Sequence, residues 1–397
     1  MRTFVNVIII LFLVGALGLG GFLIYKKFFV EEDLDAKVTP KAELTQNKAG
    51  SPAAIPAEVL ANKFGFLSGG DESNPFVRDV GAAWIRPHPG PFLWDATQKS
   101  AASAISFTNT DKIVKAQQEQ NYGTLATLWP FAEFDQKNRT DYANCQVSAK
   151  DEFLPQNDKK GRGDYLPQAR CNPHDWVAYS AWIKAIVERY DGDGASDMPS
   201  LLIPIKYWEV MNEPDLTSPS GLDERLKFYK QDAQAYAELL VKTAKAIHEA
   251  DSEAKILIAG AAGGNSEFLG FYREVFQNKE ALSSFDIANV HCISNDQLES
   301  FNVEPYKNML QEFSIAKPIW VTEAEAIISS DPSANATQTK KSTQKAIELG
   351  AEKIFFTRYD FNIRQDLNDD KMKQETPINI ELNGQDPTAA YRVIIGK

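Results

Sequence analysis

The sequence predicts an α/β chain with a (β/α)8 barrel as its ordered part, and three observations carry that prediction. Strand-like apolar runs alternate with helix-like segments eight times between residues 63 and 358, the pattern of a parallel sheet with its connections packed outside. Two of these runs, Trp208-Glu209-Val210-Met211-Asn212-Glu213-Pro214 and Ile319-Trp320-Val321-Thr322-Glu323, end on a carboxylate, and a (β/α)8 barrel gathers the C-terminal ends of its strands on one face. The main alternative, a doubly wound open sheet, would place a Gly-x-Gly-x-x-Gly turn after its first strand. None follows it here, and Ala259-Gly260-Ala261-Ala262-Gly263-Gly264 lacks the spacing.

Residues 63–69 read as the first strand, 82–86 as the second and 124–129 as the third, the last preceded by a helical segment at 111–116. Residues 176–190 read as a helix with Val177, Trp182, Ile183, Ile186 and Val187 on one side, leading into the fourth strand at 206–211. A helix at 235–249 precedes the fifth strand at 255–260, and one at 268–276 precedes the sixth at 286–291. Helices at 306–313 and 339–349 precede the seventh strand at 318–323 and the eighth at 353–358, and residues 387–395 supply a closing helix. One connection is oversized. Residues 134–173, after the third strand, far exceed the ~5 residues usual between such elements and would overhang the face where the strands end.

At 397 residues and 43% hydrophobic content the chain can bury a large core. A formal charge of −12 excludes a nucleic-acid surface, because an acidic balance does not capture phosphate backbones. There is no Walker loop, no Gly-x-Ser-x-Gly elbow and no repeated metal-ligand cluster, so no cofactor or metal is expected. Asp191-Gly192-Asp193-Gly194-Ala195-Ser196-Asp197 breaks the calcium-loop pattern at Ala195 and reads as a polar turn.

Residues 5–25 have Asn6 as their only strongly polar member, a length that crosses ~30 Å of hydrocarbon as a helix. Residues 1–30 therefore read as a membrane anchor in the lipid bilayer. Residues 31–58, charged and then rich in Ala, Pro and Lys, read as a flexible tether, and residues 59–397 as the barrel domain. A cleaved signal peptide is the rival reading, though its apolar core is usually only about 7–15 residues long. Arg2 on one flank and Lys26 and Lys27 on the other leave the orientation open. Of the three cysteines, Cys145 and Cys171 share the long polar connection and are expected to pair, while Cys292 falls in a buried strand. A bridge implies an oxidising compartment and a barrel outside the cytoplasm. Composition leaves the oligomeric state open.

Cleaving a glycosidic bond takes two carboxyl groups held on opposite sides of the bond by rigid elements. Glu213 and Glu323, at the ends of the fourth and seventh strands, fit that pair and make a carbohydrate the expected substrate. Glu325 is the rival to Glu323 because it shares its strand parity. Glu209 shares parity with Glu213 but lies four residues deeper, and reads as a buried, hydrogen-bonded structural acid. Arg86, His88 and His291 are further candidates, and Trp94 and Trp129 are candidates to stack on a sugar face. His174 and His248 fall in helical surroundings and read as structural. Asn138-Arg139-Thr140 and Asn335-Ala336-Thr337 match the glycosylation pattern.

These residues also carry a family resemblance. The barrel portion, about residues 64–394, resembles the clan A glycoside hydrolases, most closely the family thirty-nine type of xylosidases, iduronidases and exopolysaccharide hydrolases. The carrying motifs are Trp208-Glu209-Val210-Met211-Asn212-Glu213-Pro214-Asp215 and Trp320-Val321-Thr322-Glu323, supported by Arg86 and His291. The resemblance implies a retaining enzyme for β-type bonds in a polysaccharide or glycoconjugate, with Glu213 as acid/base, Glu323 as nucleophile and Asn212 on the sugar 2-hydroxyl. Burial and the nearby charge of Glu323 would raise the Glu213 pKa, and the Arg86 guanidinium would keep Glu323 ionised. The chain departs from the resembled pattern in three places. Met211 replaces the usual Gly, His291-Cys292-Ile293 lacks an aromatic hydroxyl, and Phe356-Thr357-Arg358-Tyr359 replaces a Trp at the end of the eighth strand. Tyr359 or Tyr306 is the candidate to replace the missing partner. A barrel that binds glycan without turning it over is the alternative that these departures motivate.

Overall fold

The computed structural model describes residues 53–68, 73–88, 90–147, 166–216, 227–293, 298–362 and 381–397. The anchor expected at 5–25 and most of the expected tether lie outside these residues. No helix among the described residues is long and apolar enough to cross a membrane.

Eight strands form one parallel sheet: β1 Phe64–Leu67, β2 Trp84–Arg86, β3 Gly123–Leu128, β4 Tyr207–Val210, β5 Lys255–Ile258, β6 Ala288–Ile293, β7 Ile319–Glu325 and β8 Ala351–Phe356. Their order is β5-β4-β3-β2-β1-β8-β7-β6. The two ends meet through parallel bridges Leu257↔Ile287 and Ala261↔Val290, with Ile258 N–H donating to Ile287 O at 3.2 Å and His291 N–H to Ala261 O at 2.8 Å. The sheet thereby closes as the predicted (β/α)8 barrel.

Successive side chains of a strand face opposite sides, so the barrel interior is built in layers. The lower layer is apolar: Trp84, Leu125, Leu257, Ile287, Trp320 and Phe355 cluster with Val59. Gly65 completes this layer because a Cβ there would sit 2.5 Å from the Phe355 ring. The short helix Ala57–Ala61 covers the floor, where Trp84 Nε1 donates to Val59 O at 2.8 Å. Lys353 Nζ donates to Leu60 O at 2.9 Å and Asn62 O at 2.7 Å. Two residues further along the strands the interior turns polar, with Arg86, Thr127, Glu209 and Thr322 all fully buried. Such a layer is tolerable only when its groups bond one another, and it is the floor of the candidate site.

Two helices differ from expectation for reasons of geometry. The helix Trp176–Glu188 buries Tyr179, Trp182, Ile183, Ile186 and Val187, but Val177 is 81% exposed. Five residues before Trp182, it lies about 140° around the helix from that side chain at ~100° per residue. The helix Pro332–Glu348 begins a full two turns before the predicted 339, with Asp331 capping Ser333 N–H and Pro332 in the first turn. Its first turns bury small or polar residues, Ala334, Asn335, Ala336 and Thr337, which show no apolar period. Asn335 is buried, and its amide donates to Ser329 O and Phe361 O, so the 335–337 triplet is no glycan acceptor on the folded protein.

The long connection after β3 holds the short helices Glu133–Gln136 and Tyr142–Cys145. A disulfide joins Cys145 to Cys171, beside the antiparallel bridge Gln146↔Ala169, and Gln136 Nε2 donates to Cys171 O at 2.7 Å. Both ends of the connection are thus held together. Cys292 is buried and takes no part in a disulfide.

Candidate active site

Four strands deliver their C-terminal residues to one place. From β2, Arg86 is fully buried and serves three acceptors: Nε donates to Glu209 Oε2 at 2.8 Å, Nη1 to Glu323 Oε1 at 2.7 Å and Nη2 to Asn212 Oδ1 at 2.7 Å. The planar guanidinium spreads donors over three nitrogens in a fixed fork and reaches all three acceptors at once, whereas a lysine carries its three donors on one nitrogen. From β4, Glu209 also accepts from Thr127 Oγ1 at 2.6 Å and from Asn289 Nδ2 at 2.6 Å. Every oxygen of Glu209 is engaged, as a structural acid requires.

Beyond β4 the chain leaves extended geometry. Met211 has φ 71° and Glu213 φ 41°, the left-handed region that costs a residue with a Cβ. This departure from the strand turns Asn212 and Glu213 into the mouth of the barrel, and it explains why glycine suits the position that Met211 fills. Strained backbone of this kind concentrates at functional sites.

From β6, His291 Nδ1 lies 2.7 Å from Glu213 Oε1 and 3.7 Å from Glu323 Oε1. Its Nε2 lies 2.8 Å from Thr322 Oγ1. One oxygen of each glutamate and one His291 nitrogen all fall within 4.8 Å of one another. Just past β5, Gly260 makes room for the ring, since a Cβ there would meet His291 Nε2 at 2.1 Å. His88 Nε2 stands 3.8 Å from Glu323 Oε1, and its ring tilts against Trp129 at 6.0 Å between centroids. Phe228 flanks Trp129 on another side, at 5.8 Å. Two buried polar atoms here, Asn212 Nδ2 and His88 Nδ1, have no hydrogen-bond partner among the described residues.

Burial pushes the Glu213 carboxyl up to about 7, against the pull of Arg86. Glu323 is also raised by burial, with His291 and the bound Arg86 guanidinium opposing. Burial lowers His291 to about 4, leaving a neutral ring, and pushes His88 well below its ordinary value. Asp215, buried beside Glu213, is held well above the usual range by burial and by the charge of Glu213. The result is two carboxyls in one pocket with different partners, one on a guanidinium and one on a neutral imidazole.

The structure therefore brings together Glu213, Glu323, Asn212, Arg86, His291 and His88, with Trp129 alongside. It does not bring Trp94 to them. Trp94 is fully buried, packed against Trp182, Tyr179 and Phe134, because the helix Trp94–Thr97 turns it into the outer core. Tyr306 is likewise a core residue, buried against Tyr272 with its hydroxyl accepting from Asn289 N–H. Tyr359 packs on Phe66 and Phe76, and its hydroxyl donates to Leu67 O and Ser68 O at the end of β1. Glu325 accepts from Thr357 Oγ1 at 2.9 Å. Sequence reasoning passed over Thr127, Asn289 and Thr322: parity with Trp129 and His291 would have found the first two, whereas parity with Glu323 turns Thr322 outward, and it reaches the interior because the register of β7 shifts between Val321 and Ala324.

Among the described residues, two groups have a spacing that suits a cation: Glu213 with His291 and Glu323, and Asp191 with Asp193 and Asp197. In the first, Arg86 already supplies positive charge at Glu323. In the second, carboxylate oxygens accept the backbone N–H groups of Gly192, Asp193, Gly194 and Ala195, which is the polar turn expected there.

Comparison with solved structures shows a likeness to a glucosidase from Croceicoccus marinus, with a TM-score of 0.55 and 14% identity, covering 88% of this chain and 69% of that one. A monomeric beta-xylosidase from Caulobacter crescentus CB15 is similar with a TM-score of 0.52 and 17% identity, covering 78% of this chain and 62% of that one. This chain thus spans less than two thirds of the xylosidase. At these identities the likeness shows the fold. Among curated proteins none matches. A family model described as "Glycosyl hydrolase catalytic core" matches residues 178–385, more than half of the chain and a stretch that includes Glu213, His291 and Glu323. The chain belongs to the glycosyl hydrolase catalytic core family.

Proposed function

We propose that this protein is a retaining glycoside hydrolase for β-type bonds in a polysaccharide or glycoconjugate, tethered to a membrane with its barrel outside the cytoplasm. The observation that carries the reading is the pair Glu213 and Glu323, with carboxylate oxygens within 4.8 Å of each other. That upper bound fits the ~5–5.5 Å carboxyl separation of retaining enzymes better than the ~6.5–9.5 Å that makes room for the extra water of an inverting one. Glu323, paired with Arg86, attacks the anomeric carbon. Glu213, protonated near neutral pH, gives its proton to the leaving oxygen and then takes one from the water that releases the sugar. Asn212 Nδ2, which lies toward Glu213 without a close hydrogen bond, can donate to a sugar hydroxyl, and His88 and Trp129 border the same space. The Cys145–Cys171 disulfide favours an oxidising compartment.

The test is a panel of chromogenic glycosides and oligosaccharides, beginning with β-xylosides and glucosides, with the anomeric form of the first product followed by NMR. A retained product from active protein is expected. An inverted product would overturn retention, and binding without turnover would favour the glycan-binding alternative. For the anchor, deleting the residues before Glu31 should release a soluble, folded barrel that keeps its activity on small substrates; failure of the truncated chain to fold would place the boundary elsewhere.

A further inference from the structure

The hydrogen bonds behind the two glutamates can be followed proton by proton. Glu209 carries the Arg86 guanidinium on Oε2, at 2.7 Å, and its Oε1 receives the amide of Asn289 at 2.6 Å. A carboxylate only accepts, so the NH2 end of Asn289 faces Glu209 and its oxygen faces the other way. That oxygen, Oδ1, lies 2.9 Å from Thr322 Oγ1, and Glu209 Oε1 itself lies 3.2 Å from the same hydroxyl. Both neighbours are acceptors, so the single Thr322 proton points at them. Toward His291 Nε2, 2.8 Å away, Thr322 therefore has only a lone pair to offer. The Nε2 atom must carry the ring proton. The opposite nitrogen, Nδ1, is then bare and faces Glu213 Oε1 at 2.7 Å, an oxygen that must carry a proton to make that bond.

We infer that Thr322 is a positioning residue that fixes His291 as its Nε2–H tautomer, and that this tautomer keeps the proton on Glu213. Gly260 belongs to the same device, since its missing Cβ is what lets Nε2 reach Thr322. The remaining charged and titratable groups around the ring are Glu323 on β7, Glu209 on β4, and Arg86 and His88 on and after β2. The lowered affinity of the buried ring for a second proton agrees with a neutral imidazole. The consequence reaches both halves of a double displacement. A bare Nδ1 accepts from the neutral acid and repels the carboxylate that remains once the proton has left, so Glu213 is a reluctant anion and a stronger base toward the incoming water. This kinetic consequence rests on the acid/base reading of Glu213; the tautomer does not.

The test is the protonation state of His291 in the full-length protein, read from imidazole nitrogen shifts by ¹⁵N NMR near pH 6. Its signals are assigned by elimination with H88N, H174N and H248N. The wild type and Thr322→Ser should show a protonated Nε2 and a bare Nδ1, and Thr322→Val should move the proton toward Nδ1. A wild-type ring protonated on Nδ1, or an imidazolium at that pH, would overturn the inference without any variant. So would a folded Thr322→Val protein with the wild-type tautomer. With a turned-over substrate, Thr322→Val should also move the basic limb of kcat/KM to lower pH by roughly one unit, because an Nδ1–H stabilises the Glu213 carboxylate, whereas Thr322→Ser should keep the wild-type limb. An unmoved limb in Thr322→Val would overturn the control of Glu213. A correct tautomer in a protein that cleaves no glycoside would sink the hydrolase reading and leave this one standing.

Discussion

Arg86 Nη1 lies 2.7 Å from Glu323 Oε1, and the same guanidinium holds Glu209 and Asn212. One side chain thus links the strand-seven carboxylate to both the floor of the pocket and the Asn-Glu-Pro turn. A lysine keeps the charge and loses the fork. Arg86→Lys should lower kcat/KM by about 10²-fold, the scale of a reacting group misplaced by ~1 Å. It should also destabilise the fold by about 1–3 kcal/mol, the scale for leaving buried acceptors without their donors. Steady-state kinetics and denaturant unfolding read the two effects separately, and unchanged stability would show that Arg86 is not integral to the network.

Removing either carboxylate separates their roles. Glu323→Ala should abolish turnover. Glu213→Ala should slow substrates whose leaving group needs protonation by about 10²–10⁴-fold, yet spare the first step of activated aryl glycosides. Added azide should then restore turnover as a glycosyl azide of retained configuration. An azide product of inverted configuration would contradict the retaining reading.

The pH profile follows from the two environments. Glu213 must be protonated for the first step, so activity falls as pH rises through its value of about 7. Glu323 must be ionised, so activity also falls as pH drops through its value, which burial lifts above that of an ordinary glutamate. The kcat/KM profile should be a bell with its basic limb near neutrality. In Glu213→Ala that basic limb should vanish on activated substrates while the acid limb stays.

Met211 sets backbone strain against packing. Its φ of 71° costs about 1–2 kcal/mol relative to glycine, but the side chain is fully buried, and deleting a buried Met costs about 2–5 kcal/mol. Packing wins, so Met211→Gly should destabilise the protein by about 1–3 kcal/mol, measured by chemical denaturation. Net stabilisation would show that the strain dominates.

The disulfide closes a separation of 26 residues, which corresponds to about 3.5 kcal/mol of unfolded-chain entropy. A non-reduced digest should contain linked Cys145 and Cys171 peptides with Cys292 free. Replacing both cysteines with Ser should destabilise the protein by about that amount, and three free thiols after oxidising expression would exclude the bridge.

Much of the barrel was legible in the residue order because period-two burial and strand-helix alternation are local properties. They set which residues form strands, that Arg86, Glu213 and Glu323 fall at C-terminal strand ends, and that Glu209 lies four residues deeper than Glu213. Rotation about a helix axis is also local, and on that ground Val177 was already off the buried stripe of its helix. What only the tertiary structure decided is which side chains meet. Trp94 and Trp129 are both aromatic residues beside predicted strand ends, yet one packs into the outer core and the other stands beside His88, because short helices and turns re-aim side chains that periodicity cannot follow. Thr322, Asn289 and Gly260 carry little signal one at a time. Their importance arises when barrel closure brings β4, β5, β6 and β7 within hydrogen-bond reach, since a hydrogen bond across the interior depends on fractions of an ångström between residues that are distant in the chain.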